Sequence, residues 1–252
     1  MQYTRHIPNL LTLCNLSCGA IGIIIAFNDH LFYNQDKTII VSAQSQLFYA
    51  GILVLVAAGF DFLDGLAARL LNAKSKIGAD LDSLADVISF GLLPCIIAYR
   101  LLSLAQHSDT LSFETNIIAA LPALLIVIFA ALRLAIFNND ATQNVHFIGL
   151  PSPANGIFWA GCGIASFFNG FYKTALQNTW VLLFCIIISA ILMVSRYTFF
   201  SFKTLNINTK TGKLVLLFLV ISLLLILFFQ WIALPLIVIT YLLFSIFLTF
   251  IL

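Results

Sequence analysis

Eight apolar runs follow one another along this chain, near residues 9–27, 45–70, 79–103, 116–138, 154–172, 178–197, 214–230 and 232–252. Apolar stretches of about 18 or more residues read as helices that cross a bilayer, because a helix satisfies its own backbone hydrogen bonds in hydrocarbon. The connections are short and carry most of the polar residues. The last two runs are separated only by Gln230 and Trp231, with Pro235 just beyond. The composition agrees, at 62 % apolar and 9 % charged with a mean hydropathy of +1.06, whereas soluble domains are roughly half apolar and about a quarter charged. The expected fold class is all-α: a polytopic integral membrane helical bundle of about eight transmembrane helices, forming a single membrane domain over residues 1–252. The first run is too long for a signal-peptide core, and no small-residue cleavage site follows Phe27, so it is expected as a retained span.

Basic residues set the expected orientation. With the N-terminus inside, Arg5, Arg69, Lys74, Lys76, Arg133, Arg196, Lys203, Lys210 and Lys213 face the cytoplasm, and Lys37, Arg100 and Lys173 face out. That asymmetry predicts both termini inside. A net charge of +2 is too small to imply a nucleic-acid partner. Cys14, Cys18, Cys95, Cys162 and Cys185 all fall within predicted spans and form no CxxC pair. They read as small packing residues.

Against this background, residues 61–90 stand out. They read DFLDGLAARLLNAKSKIGADLDSLADVISF and hold five of the chain's ten carboxylates. A charge at mid-bilayer costs about 2.5–3.5 kcal/mol even on the lenient insertion scale. Asp61 and Asp64 end the second run, Asp82 and Asp86 begin the third, and Lys74 and Lys76 lie in the turn between them. The spacings i,i+3 and i,i+4 put each pair on one helix face. Packed against each other, the two arms can bring four carboxylates to one point. Hard divalent cations with oxygen ligands, Mg²⁺, Mn²⁺ or Ca²⁺, would relieve their repulsion. Asp80 is about 160° round the helix from Asp82 and is expected to face away. Gly65, Ala67, Ala68, Gly78 and Ala79 leave room for close approach; Ala67 and Ala79 read as helix-packing residues.

The segment runs Asp61-x-x-Asp64-Gly65-x-x-Ala68-Arg69, eight residues, then Gly78-x-x-x-Asp82-x-x-x-Asp86. It resembles the signature of the CDP-alcohol phosphatidyltransferases at every fixed position. The resemblance implies a six-helix catalytic core with accessory helices at 214–252. It also implies a reaction in which an alcohol attacks the lipid-side phosphorus of a CDP-linked lipid and CMP leaves. By the same resemblance Asp61, Asp64, Asp82 and Asp86 are metal ligands, for Mg²⁺ or Mn²⁺ with Ca²⁺ as an occupant, and Asp86 is also the general base. Gly65 and Ala68 would pack on the cytidine. Arg69 and Gly78 would line the nucleotide and its phosphates, with Asp61 and Asp82 also touching the CDP-lipid. A homodimer is implied in the same way. The chemistry suits these residues, since phosphoryl transfer needs positioning and charge neutralisation above all.

Three more segments bear on the acceptor. IPNLLTLCNLSCG near the N-terminus, RLAIFN at 133–138 and FIGLPSPANG at 147–156 resemble the phosphatidylserine synthases of this family, and VSRYTFFSFK at 194–203 has a similar character. No GKxKT-like loop of the phosphatidylglycerophosphate synthases is found at the matching place. The expected substrates are CDP-diacylglycerol and L-serine, with Arg133, Asn138, Ser152 and Asn155 as candidate acceptor residues. Arg133 falls about two turns inside the fourth run and suits a carboxylate or phosphate. It could instead snorkel, or pair with a hairpin aspartate. Asn138 and Ser152 could instead cap helix ends. His146 lies near this side, while His6, His30 and His107 read as solvated or interfacial. Trp159, Trp180 and Trp231 read as interfacial anchors or packing residues, and the last two runs as lipid-facing additions. Glycerol 3-phosphate or an inositol phosphate is the alternative acceptor. A divalent cation or proton transporter is the alternative of another class, although the acids cluster near one face and the outer halves are bare. With no transit-peptide pattern, the expected location is a bacterial inner membrane with the site facing the cytoplasm.

Overall fold

The computed structural model describes residues 6–27, 43–73, 75–108, 121–139, 147–168, 170, 172–199 and 210–251. In chain order it contains α1 (Ile7–Phe27), α2 (Ala43–Leu70), α3 (Lys76–Asp86), α4 (Leu93–Ser108), α5 (Leu124–Asn139), α6 (Ser152–Phe167), α7 (Tyr172–Leu176), α8 (Thr179–Val194), α9 (Lys210–Phe229) and α10 (Ala233–Ile251). A π-helical turn, Val87–Leu92, joins α3 to α4, and 3-10 turns at Leu121–Ala123 and Gln230–Ile232 lead into α5 and α10. With α3, the π turn and α4 taken as one rod and α7 as a surface turn, the described helices match the eight apolar runs. Five segments are long and apolar enough to cross a membrane: Ile7–Phe27, Ala43–Leu70, Lys76–Ala105, Leu121–Asn139 and Gly212–Phe247. The last folds at Gln230 (φ 50°) into the α9–α10 hairpin. The protein is a polytopic helical membrane protein. Large exposed side chains such as Phe184, Leu227 and Phe228 are what a lipid-facing surface requires.

Two predicted runs differ in extent. The run at 154–172 is realised as α6, which starts earlier at Ser152 and stops at Phe167, where Phe168 turns extended at φ −91° and ψ 148°. The run at 178–197 becomes α8, Thr179–Val194, capped by the Asn178 side chain. Each of these helices has 16 residues, about 24 Å at 1.5 Å per residue. A short α6 is tolerated because protein, more than lipid, surrounds it: Ser152, Asn155 and Trp159 are fully buried and Gly156 is buried. A second difference is a two-residue antiparallel ladder, with Phe147 paired to Phe199 and Ile148 to Thr198. It ties the chain before α6 to the chain after α8.

Close helix crossings are made by glycines. A Cβ on Gly51 would lie 2.7 Å from the Ala160 carbonyl oxygen, and one on Gly163 would lie 3.0 Å from that of Leu47, so α2 and α6 touch backbone to backbone. Around the π turn, Gly19 and Gly22 of α1 face Ser89 and Leu93, and Gly156 of α6 faces Phe90. Gly149 has φ +79°, and a side chain there would collide with the Met193 carbonyl. Only glycine adopts that conformation freely. Its N–H donates to the Tyr197 carbonyl at 2.9 Å, and Leu150 N–H to the Leu192 carbonyl at 2.9 Å, which anchors the 147–151 loop to the end of α8.

The α6–α10 crossing is equally tight: a Cβ on Gly161 would lie 2.5 Å from Pro235 Cδ and 2.8 Å from Leu234 Cβ. A helical Gly→Ala change normally stabilises by about 0.5–1 kcal/mol. Gly161→Ala is expected to reverse that sign, costing about 1–3 kcal/mol through overpacking, and to lower the thermal midpoint of the detergent-solubilised protein.

Candidate active site

The turn between α2 and α3 is closed by local chemistry. Asn72 takes the left-handed conformation at φ 47°, which asparagine tolerates better than most residues. Its N–H reaches the Arg69 carbonyl at 3.4 Å and the Ala73 N–H reaches that of Ala68 at 3.0 Å, the paired bonds of a Schellman stop. Ser75 then caps α3, accepting from Gly78 N–H at 3.0 Å. α2 ends at Leu70 and α3 begins at Lys76, and both pack on α1, which brings their acidic turns to one region without the two arms packing along each other.

Asp61, Asp64 and Asp82 converge, each offering a carboxylate oxygen within 4.8 Å of the others. Asp64 is buried, and Asp61 and Asp82 are half-buried. Their charges repel one another, and among the described residues the buried Asp82 Oδ1 has no hydrogen-bond partner. Three anionic oxygens at this spacing, with one lone acceptor, fit a hard divalent cation. Asp80 is exposed and outside the trio, as expected.

The fourth carboxylate is set apart. Asp86 is buried, outside the trio, and accepts a long hydrogen bond of 3.4 Å from Asn15 Nδ2. It still feels the charges of Asp61, Asp82 and Asp64. The π turn begins at the next residue, and Ser89 within it donates to the Asn15 carbonyl at 3.0 Å. Such turns re-aim a helix face and recur at functional sites. On the other side of the site, Thr12 Oγ1 lies 2.8 Å from Asp64 Oδ2, to which it donates, and 3.0 Å from the Pro8 carbonyl.

A cleft opens beside the trio, lined by Pro8, Asn9 and Thr12 of α1, by Asp64, Gly65, Ala68 and Ala73, and by Ser75, Gly78, Ala79 and Asp82. Gly65 faces open space, while a Cβ on Gly78 would lie 3.0 Å from both Asn9 Oδ1 and Ser75 Oγ. Ala79, expected as a packing residue, instead lines the cleft. Arg69 is exposed and its Nε donates back to the Gly65 carbonyl at 2.9 Å, so it sits at the rim.

Of the acceptor candidates beyond the hairpin, Arg133, Ser152 and Asn155 are buried. Arg133 neither snorkels nor, among the described residues, forms a salt bridge to a hairpin aspartate, the two alternatives to acceptor binding. It is only 7 % exposed, donates from Nη1 to Ser152 Oγ at 2.9 Å, and lies over the Phe137 ring at 5.7 Å. Asp86 and Tyr241 are its electrostatic neighbours. Ser152 does not cap α6: Pro151 holds the cap position, and the Ser152 hydroxyl is occupied by Arg133. Asn155 is fully buried, and among the described residues neither its Oδ1 nor its Nδ2 has a partner; Arg133 Nε also lacks one. Unpaired buried polar atoms cost free energy until something satisfies them. Asn138 does not cap its helix either. It is exposed and donates to Ser83 Oγ at 2.8 Å, bridging α5 to the residue after Asp82. Trp159 is a core residue, whereas Trp180 is exposed. His30, His146 and the side chain of His107 lie outside the described residues, as do Arg5, Lys37, Lys74 and Lys203.

Residues 5–168 match the family model of the CDP-alcohol phosphatidyltransferases. The chain belongs to this family. It is similar to a Helicobacter pylori CDP-diacylglycerol–serine O-phosphatidyltransferase, 32 % identical over 214 residues that cover 84 % of this chain and 79 % of the relative. A Bacillus subtilis protein of the same name is 35 % identical over 153 residues, covering 61 % and 72 %. A Mycobacterium bovis protein, again so named, is 29 % identical over 196 residues, covering 75 % and 59 %.

In this phosphatidyltransferase the hairpin motif is therefore only half of the wall. Thr12 and Asn15 were not singled out from sequence, although the signal was present. Pro8, Thr12, Asn15 and Gly19 lie at helical spacing on the buried face of α1, and polar side chains within a span are usually there for a purpose. Thr12→Val keeps the shape and removes the donor to Asp64. A hydrogen bond to a charged group contributes about 1.5–3 kcal/mol, so phosphatidyl transfer, read as CMP release, is expected to fall roughly 10- to 100-fold while the helical circular dichroism is unchanged.

Proposed function

We propose that this enzyme transfers the phosphatidyl group of CDP-diacylglycerol to the hydroxyl of L-serine, giving phosphatidylserine and CMP. The observation that carries the reading is the division of the four aspartates, three drawn together and the fourth held apart by Asn15. The names of the relatives support serine. So does the buried guanidinium bonded to Ser152, one helical turn before the unpaired Asn155 on α6, since an amino acid alcohol brings both a carboxylate and an ammonium.

In this mechanism the cytidine packs against Gly65 and Ala68, and its phosphates lie by Gly78, Arg69, Asp61 and Asp82. Asp61, Asp64 and Asp82, with Asp86 at the edge of the set, would hold Mg²⁺ or Mn²⁺, which when bound would neutralise pyrophosphate charge and stabilise the leaving CMP. Asp86 takes the proton of the serine hydroxyl, and Asn15 keeps its carboxylate turned toward that proton. The serine oxygen forms a bond to the lipid-side phosphorus. The bond from that phosphorus to the bridging oxygen breaks, and CMP leaves with the electron pair. Arg133 binds the serine carboxylate, Ser152 holds the guanidinium, Asn155 meets the remaining polar atoms, and Asn138 stands at the entrance. Residues 1–252 act as one membrane domain, assembled as a homodimer, with the site on the cytoplasmic side of a bacterial inner membrane. There the acyl chains stay in lipid while the nucleotide sits in water.

Purified protein supplied with CDP-diacylglycerol and Mn²⁺ or Mg²⁺ should release CMP when L-serine is added, and should stop when the cation is chelated. Release that requires glycerol 3-phosphate or an inositol phosphate and ignores serine would overturn the acceptor. Cation flux in liposomes with no CMP release would instead favour a transporter. Asp86→Asn should lower turnover about 10²- to 10⁴-fold, the usual contribution of a positioned base, while CDP-diacylglycerol still binds; turnover like the wild type would remove Asp86 from that role.

A further inference from the structure

The helices α9 and α10 lie beyond the stretch that the family model matches, residues 5–168, and their sequence suggests nothing but contact with lipid. The structure places one polar side chain of this hairpin elsewhere. Tyr241 of α10 is 8 % exposed and belongs to a buried cluster with Ala130, Leu150, Met193, Phe199 and Phe218. Two members of that cluster lie next to Arg133 and Ser152 in sequence. Ala130 is one turn before Arg133 on α5, and Leu150 is two residues before Ser152.

The ring of Tyr241 is held firmly. It stacks on Phe199 with centroids 5.9 Å apart and planes at 23°, and meets Phe218 edge-on at 6.1 Å. Phe199 is the ladder partner of Phe147, at the start of the strand that leads through Gly149 into Ser152. The tyrosine is therefore locked to the same loop that supplies the arginine's hydroxyl partner. Its own hydroxyl interacts with Ser245 one turn along α10, and Arg133 is its charged neighbour. The helix that carries it cannot drift, because α10 is seated on α6 at the Gly161–Pro235 crossing. The ring stack on Phe199 and Phe218 would be made equally well by a phenyl ring; the hydroxyl adds the contact to Ser245 and the interaction with the Arg133 charge. Phenylalanine would fill the same space without burying a hydroxyl.

We propose that Tyr241 is a positioning residue of the acceptor pocket, its hydroxyl fixing the Arg133 guanidinium in the orientation that binds the carboxylate of a small amino acid alcohol. The C-terminal hairpin is then a wall of the acceptor site and not a lipid-facing accessory. This rests on the reading of Arg133 as the acceptor's anion-binding group. With one amine on Ser152, Nε unpaired and the Phe137 ring beneath it, the guanidinium has hydrogen bonds fixing only one of its edges, and a rigid dipole nearby fixes its orientation further before substrate arrives.

The test is steady-state CMP release by the intact, detergent-purified enzyme, varying L-serine and CDP-diacylglycerol in turn, for wild type, Tyr241→Phe and Phe218→Leu. Tyr241→Phe keeps the ring stack and is expected to raise the KM for serine about fivefold or more, leaving the KM for CDP-diacylglycerol and the thermal midpoint unchanged. Phe218→Leu loosens the same cluster and is expected to lower the thermal midpoint without that selective KM change. An unchanged serine KM in Tyr241→Phe overturns the proposal, and so does an equal serine effect in Phe218→Leu, which would make the contribution one of packing alone. If the wild type ignores serine and uses another alcohol, the serine reading fails separately. The KM for that alcohol then decides the role of Tyr241 by the same comparison.

Discussion

Everything in this bundle answers to the electrostatic cost of gathering carboxylates among apolar helices. Asp61, Asp64 and Asp82 share a space less than 5 Å across, and Asp86 lies within reach of their field. Such a group is tolerable only where its oxygens find donors, water or a cation. The surrounding structure supplies the first of these from α1, through Thr12 and Asn15. It supplies the second through a cleft lined by small residues. The third is what the trio's own donor set calls for.

Close approach of α1 to α3 and the π turn makes this possible, and glycine makes the approach possible. Where Gly19 and Gly22 face Ser89 and Leu93, α1 adds no side chain of its own and the partner side chains pack directly on its backbone. The Asn15 backbone can therefore accept from Ser89 while its side chain turns to Asp86. The π turn makes the same junction from the other side, placing Asp86 at the point where the helix changes pitch. Within a bilayer there is no hydrophobic drive between helices, so contacts of this kind hold the bundle together. The site and the fold therefore share their stabilising interactions: loosening the α1 crossing would disturb Asp86 as well.

The second polar group shows a different economy. Arg133, Ser152 and Asn155 are buried, yet Nε of the arginine and both polar atoms of the asparagine lack partners among the described residues. A purely structural cluster of this kind would be expected to close on itself. An open one is suited to an acceptor with matching charges. Its rigidity comes from three separate parts of the chain: α5, the loop tied down at Gly149, and the C-terminal hairpin that carries Tyr241.

The sequence alone determined the membrane-spanning helices, the acidic hairpin and the family, because insertion free energy depends on local apolar length and because Asp61 to Asp86 lie within one turn-linked pair. Spacing also sufficed to turn Asp80 away from Asp61, Asp64 and Asp82. The tertiary structure decided what crosses between distant segments. Asn15 meets Asp86 across 71 positions and Thr12 meets Asp64 across 52, Ser152 Oγ accepts from Arg133 instead of capping α6, and Tyr241 is buried against Phe199 and Phe218 instead of facing lipid. These contacts depend on which helix faces meet and at what distance. That is settled by steric packing at glycines such as Gly19, Gly156 and Gly161, whose partners no local pattern of residues names.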